Sequence, residues 1–546
     1  MKINWFNISL IGLLIGSLQA CEIDTFPETS ITEANFWVSE KDFQGAANQL
    51  YALLNAEQLE DMRADDINNG KTPDVVSAGT RVAPATSNDW TRPYNSIFVA
   101  NRIIEHAPAI SGELTPAEVK IMQYVSEARF FRCYYYFNLV KKFGDVPLMT
   151  RSAVDSRDPV LYTPRTSRDS IVRFIYRDLD SAIQYLPLPS TQGVAEYGRI
   201  TKTAAWGLKA RAGLYEGTRA KYHGYNENYK EHLKMSYEAA YEVIRSGQHG
   251  LYKNGATPYH EQFLYAGEGP ANKENMLVKI YGYPDNIYIT NNYPYDYYYR
   301  FGPTRNFLNC YLRSDGTPFI DNAGTEPSYN TYLENRDPRL AQTVMKNGET
   351  GYINSVFRPY QESKTAFGFK KYVPLNNILD NPSTVDITLM RYAEVLVSYA
   401  EAKYEYNGAI SDEDLNLSIN QLRDRVHFVH LTNSFVETHG LNMLEEIRRE
   451  RSVELAFEGF RYDDIMRWKK AEELLPVELL GARYNADDWY SGADPGNIIS
   501  RLNDEGVLII ESKDNRFFNP DRDYLYPIPY NDVANSRQTL KQNPNW

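Results

Sequence analysis

Glu446, Glu450, Glu454 and Glu458 recur every four residues between Leu444 and Lys470, interleaved with Arg448, Arg449, Arg451 and Arg461. Closely spaced carboxyl groups are the raw material of acid–base chemistry. Glycoside hydrolysis, for example, needs two of them flanking the scissile bond, and its general acid must stay protonated in an apolar setting. Here arginines stand three residues from Glu446, Glu454 and Glu458, a spacing that predicts ion pairs and charged carboxylates. The stripe therefore reads as a salt-bridged structural helix, with Ile447, Leu455, Phe457, Phe460 and Trp468 as its apolar residues. His427 and His430 are the other pair with ligating chemistry, but no nearby cysteine or further histidine completes a set, so no metal is expected. A P-loop, a dinucleotide fingerprint, a nucleophile elbow and an HExxH helix are all missing from the sequence, so no cofactor and no enzymatic activity are expected either.

Recognition chemistry is better represented. The chain has 43 tyrosines, and eight of them fall between Tyr281 and Tyr299: Tyr281, Tyr283, Tyr288, Tyr293, Tyr295, Tyr297, Tyr298 and Tyr299. Pro284, Asp285, Asn286, Asn291, Asn292, Pro294, Asp296 and Arg300 are interleaved with them. Neither helical nor alternating spacing accounts for the pattern. A tyrosine offers a flat apolar face and a hydroxyl at low entropic cost, and neighbouring Asn and Asp add hydrogen bonds. That combination suits a sugar, whose ring faces carry C–H groups and whose rim carries hydroxyls. Packing of the rings onto the rest of the protein explains the cluster equally well, and explains any single tyrosine better. A second polar stretch, Arg63 to Pro93, gathers Asp65, Asp66, Asn68, Asn69, Arg81, Asn88, Asp89, Trp90 and Arg92 and reads as a long functional loop.

The elements that must position these residues are helical. Ser39 with Asp42 three residues on forms a capping box ahead of Phe43, Ala47, Leu50 and Leu54. Helical spacing resumes at Tyr94 and ends before Pro108. Pro116 opens a helix that Gly144 and Pro147 stop, and it is apolar on nearly every face, so it belongs at the centre. Thr166–Leu186, Thr201–Thr218 and Lys230–Ser246 follow, the second studded with Ala204, Ala205, Gly207, Ala210, Ala212 and Gly213, small residues that let helices approach closely. Another pair is expected at Leu389–Asn407 and Asp412–Val426. Such pairs resemble tetratricopeptide units, but no strict 34-residue period links them. The expected class is mainly α, tetratricopeptide-like pairs with large irregular insertions. The helical scaffold occupies about 36–255 and 387–470, a tyrosine-rich insertion about 256–386, and an irregular C-terminal segment about 471–546.

At the N-terminus, Lys2, the apolar run Ile8 to Ile15 and small Ala20 compose a cleavable secretory signal too short to span a bilayer. Cys21 at the cut site resembles the lipobox of bacterial lipoproteins, although Gln19 stands where a small or aliphatic residue is usual. Residues 1–20 are expected to be removed and Cys21 acylated, each buried CH₂ contributing about 0.8 kcal/mol to anchoring in membrane lipid. Residues 21–35 form a polar spacer. The remainder, 42% hydrophobic and 24% charged across the whole chain, is a large globular body. A net charge of −13 argues against nucleic acid, which demands a basic footprint. Only Cys133 and Cys310 remain, too few for a disulfide framework.

Arg129-Phe130-Phe131-Arg132-Cys133-Tyr134-Tyr135-Tyr136-Phe137 followed by Phe143-Gly144-Asp145-Val146-Pro147-Leu148 resembles a hallmark of the SusD/RagB lipoproteins of Bacteroidetes. Four further segments are similar to the family pattern: Arg391 to Leu396 with Tyr399 to Ala402; Glu450-Arg451 with Glu454 to Gly459; Arg461 to Asp464 with Arg467-Trp468-Lys469; and Tyr526-Pro527-Ile528-Pro529. Phe36-Trp37 fits as well. Cys133, Val426 and the ending Gln542-Asn543-Pro544-Asn545-Trp546 depart from it. The resemblance implies a non-enzymatic binder on the cell exterior. It would capture oligosaccharide and deliver it to a SusC-like TonB-dependent transporter. A peptide-binding subunit and a transporter lid with little affinity of its own are the alternatives within the same family. By this resemblance the ligand contacts are expected at Trp90, Tyr283, Tyr288, Tyr293 and Tyr295 for stacking, and at Asp65, Asp66, Arg81, Arg92 and Asn292 for hydrogen bonding.

Overall fold

The structure is a computed structural model describing residues 36–54, 59–69, 73–109, 112–283, 288–322, 328–361, 363–375 and 382–546. Cys21, the signal segment 1–20 and the spacer 21–35 lie outside the described residues. The principal helices are α1 (Glu40–Leu53), α2 (Asn88–Glu105), α3 (Pro116–Phe143), α4 (Arg168–Ile183), α5 (Lys202–His223), α6 (Tyr229–Arg245), α7 (Tyr293–Tyr299), α8 (Tyr392–Asn407), α9 (Asp412–Leu417), α10 (Ile419–Arg425), α11 (Met443–Glu454) and α12 (Arg461–Arg467). The strands are short antiparallel pairs: β1 (Ile67–Asn68) with β5 (Gly302–Pro303), β2 (Val146–Pro147) with β3 (Arg165–Thr166), β4 (Asn275–Lys279) with β6 (Ile387–Arg391), and β7 (Leu479–Arg483) with β8 (Val507–Glu511).

Helix ends follow local chemistry. Ser39 caps α1 with Asp42 in the expected box, Thr115 and Glu118 form another at α3, and Gly144, at φ 73°, closes α3 in a backbone conformation that favours glycine. From α2 to α6 each helix packs on the next, and α8 continues the stack on α6 and α5. The result is a set of tetratricopeptide-like pairs. The small residues of α5 sit where the helices cross: a Cβ on Gly213 would come 2.8 Å from the His232 carbonyl oxygen of α6, and one on Gly217 within 2.8 Å of Leu233. α3 is buried around most of its circumference, as its sequence predicts.

A helical core holds α1 to α6 and α8. A separate aromatic core holds the insertion: Tyr259, Tyr293, Tyr297, Tyr298, Tyr311, Tyr329, Tyr332, Tyr352 and Tyr372 pack with phenylalanines and with Phe457 and Trp489. This core absorbs much of the chain's tyrosine. No helix among the described residues is long and apolar enough to cross a membrane.

The glutamate stripe joins the two cores. It is not one helix: α11 ends at Glu454, the chain turns through Phe457 (φ 64°) and Gly459 (φ 81°), and α12 begins at Arg461. Only Glu446 pairs with the arginine three residues on, Arg449. Glu450, Glu454 and Glu458 are buried and meet distant partners. Glu454 bonds Arg425 at 2.7 Å, Arg391 at 2.7 Å and Arg339 at 3.0 Å. Glu450 bonds Arg339 and Arg423, and Glu458 bonds Arg391 and Lys371. Burial pushes the Glu454 carboxyl up, but the guanidiniums of Arg425, Arg391 and Arg339 outweigh it and hold its pKa well below the ordinary carboxylate range.

Candidate functional site

Most of the expected contact residues are structural. Trp90 lies on the first turn of α2, not in a loop: Ser87 caps the helix by accepting a hydrogen bond from the Asp89 N–H, so the helix begins six residues before Tyr94. The indole is 4% exposed, with ring centroids 5.0 Å from Phe143 and 5.1 Å from Tyr94. It has no free face for a ligand. Arg92, on the same helix, is exposed but faces another part of the surface from the tyrosine cluster, beside Asp89 and Lys142.

Asp65, Asp66 and Arg81 are buried. Asp65 is clamped by two hydrogen bonds of 2.7 Å from Arg461. Asp66 sits under the β1–β5 pair with neither carboxylate oxygen hydrogen-bonded. Burial, and then the nearby Asp61 and Asp65, push its pKa well above the usual range and so favour its protonated form. Arg81 pairs with Asp523 at 3.2 Å and lies over the rings of Tyr526 and Trp546. These groups bind the 61–81 segment to the C-terminal part of the chain and are spent there.

Tyr293 packs in the aromatic core against Tyr297 and Tyr372. Tyr295 is half-buried, its ring 4.8 Å from Tyr299 and beneath the Arg300 guanidinium. For these two, packing prevails because α7 presents one side to the core.

Tyr283 and Tyr288 remain. They are 75% and 53% exposed, and their rings lie 4.7 Å apart at an interplanar angle of 35°. The backbone that carries them is tightly held. In the β4–β6 ribbon, Val278 lies opposite Thr388 and Lys279 opposite Ile387. Beyond it the Tyr281 N–H donates to Asp386 Oδ1 at 2.9 Å, and the Asp386 N–H donates to Glu268. Gly282 and Ile289 exchange both backbone hydrogen bonds at 2.8 Å, and Asn291 and Ser383 exchange theirs. Gly282, at φ 88°, takes a left-handed conformation that leaves the next residue, Tyr283, facing out. Burial raises the Asp386 carboxyl to about 6. Asn292 is exposed at the N-terminus of α7, and its side chain makes no capping hydrogen bond. The structure therefore pairs Tyr283 with Tyr288 and leaves Asn292 exposed four residues further along the chain. It does not bring Trp90, Asp65, Asp66, Arg81 or Arg92 to them.

Glu268, Asn291, Ser383 and Asp386 position this platform and were not among the expected residues. The segment Tyr283-Pro284-Asp285-Asn286-Ile287-Tyr288, turn-forming residues between two tyrosines, is the signal that singles out the exposed pair. His430 is bonded to Asp424 at 2.6 Å, Cys133 and Cys310 are free thiols, and the described residues contain no cluster of metal-ligating side chains.

A family model described as "SusD family" matches residues 265–546, and a second, described as "Starch-binding associating with outer membrane", matches residues 28–214. The chain belongs to the SusD family. It is 26% identical to the SusD-like protein P38 of Formosa agariphila over 86% of this chain and 93% of that one. It is 24% identical to a SusD-like protein of Bacteroides ovatus over 90% and 86%. Its fold matches a structure described as a SusD-like carbohydrate binding protein from Bacteroides fragilis, with a TM-score of 0.76 and 24% identity over 93% of this chain and all of that one. It also matches the surface glycan-binding protein A from Bacteroides fluxus, with a TM-score of 0.59 and 19% identity over 93% and 100%.

Proposed function

We propose that this protein is a non-enzymatic glycan-binding lipoprotein of the outer membrane. Cys21 carries the acyl anchor, the body faces the cell exterior, and captured oligosaccharide passes to a SusC-like TonB-dependent transporter. The observation that carries this reading is the Tyr283–Tyr288 pair, two tilted and exposed rings on a fixed ribbon in a protein that otherwise buries or half-buries its clustered tyrosines. Tilted neighbouring rings suit the curved apolar face of consecutive sugar residues, and Asn292 supplies hydrogen bonds at the rim. The descriptions of the B. fragilis and B. fluxus proteins and of the N-terminal family model support the ligand class and the location. The non-enzymatic reading is supported by the fate of Glu450, Glu454 and Glu458, whose pKa values are lowered by buried arginines and, at Glu458, by Lys371 as well, the opposite of what a general acid needs. A tether at Cys21 keeps the binder near its transporter at high effective concentration, so it need not diffuse to hand over its ligand.

The test is calorimetric titration of the purified protein with neutral oligosaccharides and, in parallel, with peptides. Saturable heat with an oligosaccharide and no new reducing ends is expected. Binding of peptides alone refutes the ligand class, and release of reducing ends refutes the non-enzymatic role.

A further inference from the structure

A cleft of about 570 Å³ lies between α2, the chain from Pro147 to Thr163 and the short helix Tyr530–Asn535. None of the tyrosine platform's residues line it. Its walls are largely apolar and include the rings of Tyr94, Phe98 and Tyr162. Phe98 is 45% exposed, so a large ring is left uncovered there. The Arg537 guanidinium lies 3.7 Å from the centroid of the Tyr162 ring, a cation–π contact that fixes it. Arg537 and Gln538 both hold left-handed backbone conformations, at φ 54° and 70°, which cost energy in residues other than glycine. The turn that sets Arg537 over Tyr162 is therefore strained.

The polar groups of the cleft are of two kinds. On the β2 side the backbone is spent. Pro147 has no N–H, and its carbonyl accepts from the Tyr94 hydroxyl at 3.0 Å. Met149 exchanges both its backbone groups with the Tyr136 hydroxyl, at 2.7 and 2.8 Å, and its carbonyl also accepts from Asn101 Nδ2 at 3.0 Å. An extended peptide held by backbone hydrogen bonds finds no open edge there. Side chains supply the rest. The amides of Asn95, Asn531 and Asn535 are exposed, and among the described residues no hydrogen bond engages them. Only two charged side chains line the cleft, and their signs are opposite. Arg151 is held by Asp158 through bonds of 2.7 and 2.6 Å. Asp532 is half-buried, and burial pushes its pKa up.

We infer that this cleft is a second carbohydrate site, taking a segment of a neutral oligosaccharide. Apolar walls with a few free polar groups, in a volume of several hundred Å³, are what a small-ligand site requires. Rings suit the C–H faces of sugars, while the asparagine amides and the Asp532 carboxyl suit their hydroxyls. A lining without net charge selects a neutral ligand over an acidic one. The inference rests on the proposed function for the ligand class and is independent of it for the place of binding.

The test titrates the purified protein calorimetrically with four neutral hexasaccharides, maltohexaose, cellohexaose, laminarihexaose and xylohexaose, and with a tryptic digest of casein. At least one hexasaccharide is expected to bind the parent at two sites and the Tyr283→Ala, Tyr288→Ala variant at one. Added to that variant, Phe98→Ala lowers the remaining affinity about fivefold, and Asn535→Ala, an exposed change, lowers it about threefold. One site in both proteins, weakened by Phe98→Ala, upholds the cleft and refutes the platform. A hexasaccharide that binds the parent but not the variant without the platform overturns the inference and leaves the platform standing. Binding that neither Phe98→Ala nor Asn535→Ala weakens overturns it too. Heat from the digest alone, or from no ligand at all, overturns it together with the proposed ligand class. If Phe98→Ala does not fold, Asn535→Ala decides.

Discussion

Replacing Tyr283 and Tyr288 with alanine is the sharpest probe of the binding platform. A fully exposed tyrosine presents on the order of 200 Å². A sugar lying on one face of Tyr283, exposed to 75%, removes roughly 60 Å² of apolar surface from water; at about 25 cal/mol per Å² this contributes about 1.5 kcal/mol. Tyr288, exposed to 53%, offers roughly 45 Å² and about 1 kcal/mol by the same scale. The single substitutions are therefore expected to weaken oligosaccharide binding about tenfold and about fivefold. The rings touch at 4.7 Å, so each supports the other's orientation and the costs overlap. The double variant should lose about 2 kcal/mol, close to thirtyfold. Phenylalanine at both positions keeps the faces and should stay within about threefold of the parent. Calorimetric titration with the best-binding oligosaccharide measures all four proteins, with circular dichroism as a check on folding. Both rings project from the ribbon, so melting temperature should not change. A folded double-alanine variant with affinity within twofold of the parent refutes the reasoning, as does a phenylalanine pair that loses as much as the alanines.

Glu454→Gln removes the charge that three buried guanidiniums share and should cost about 3–5 kcal/mol, read as a lower thermal midpoint. Because the folded-state pKa of Glu454 is depressed, its contribution is fully present above the unfolded value of about 4.3 and is lost as pH falls below it, so the variant's stability should decline less steeply in acid than the parent's. Asp66 has the opposite sign: with its folded pKa raised, its contribution is greatest below about 3.9 and is lost as pH rises toward the folded value. Asp66→Asn should therefore raise the midpoint at pH 7, and unchanged stability there would contradict the raised folded-state pKa. Trp90→Ala should destabilise by about 3–5 kcal/mol, whereas a folded Trp90→Phe should keep oligosaccharide affinity within twofold.

The scaffold was largely legible because helix signals are local. Ser39 with Asp42, Pro116 and Gly144 mark the ends where the helices start and stop, and the glycines of α5 foretell the close crossing with α6. What failed depended on distant chain. Pro93 sits within the second turn of α2, where it costs one backbone hydrogen bond without ending the helix, so a Pro-containing polar stretch read as loop. The charges of Asp65, Asp66 and Arg81 suggested exposure, but their surroundings include Arg461, strand β5 and Asp523, hundreds of residues away in sequence. The glutamate stripe signalled ion pairing, but the partners Arg339, Arg391 and Arg425 come from outside its own helix. Within the tyrosine cluster, composition alone does not separate Tyr283 from Tyr293; the turn residues after Tyr283 do.

Arg391 ends β6, caps the start of α8 and is bonded at the same time to Glu274, Glu454 and Glu458. It thereby rivets the root of the ribbon to the centre of the molecule, while Tyr283 and Tyr288 sit at the ribbon's far end. Holding and choosing are thus assigned to different residues. Tyr283 and Tyr288 take no part in that buried charge network, so exchanging these two side chains leaves the root of the ribbon intact, and one chassis can be refitted for a new ligand at positions that carry none of its stability.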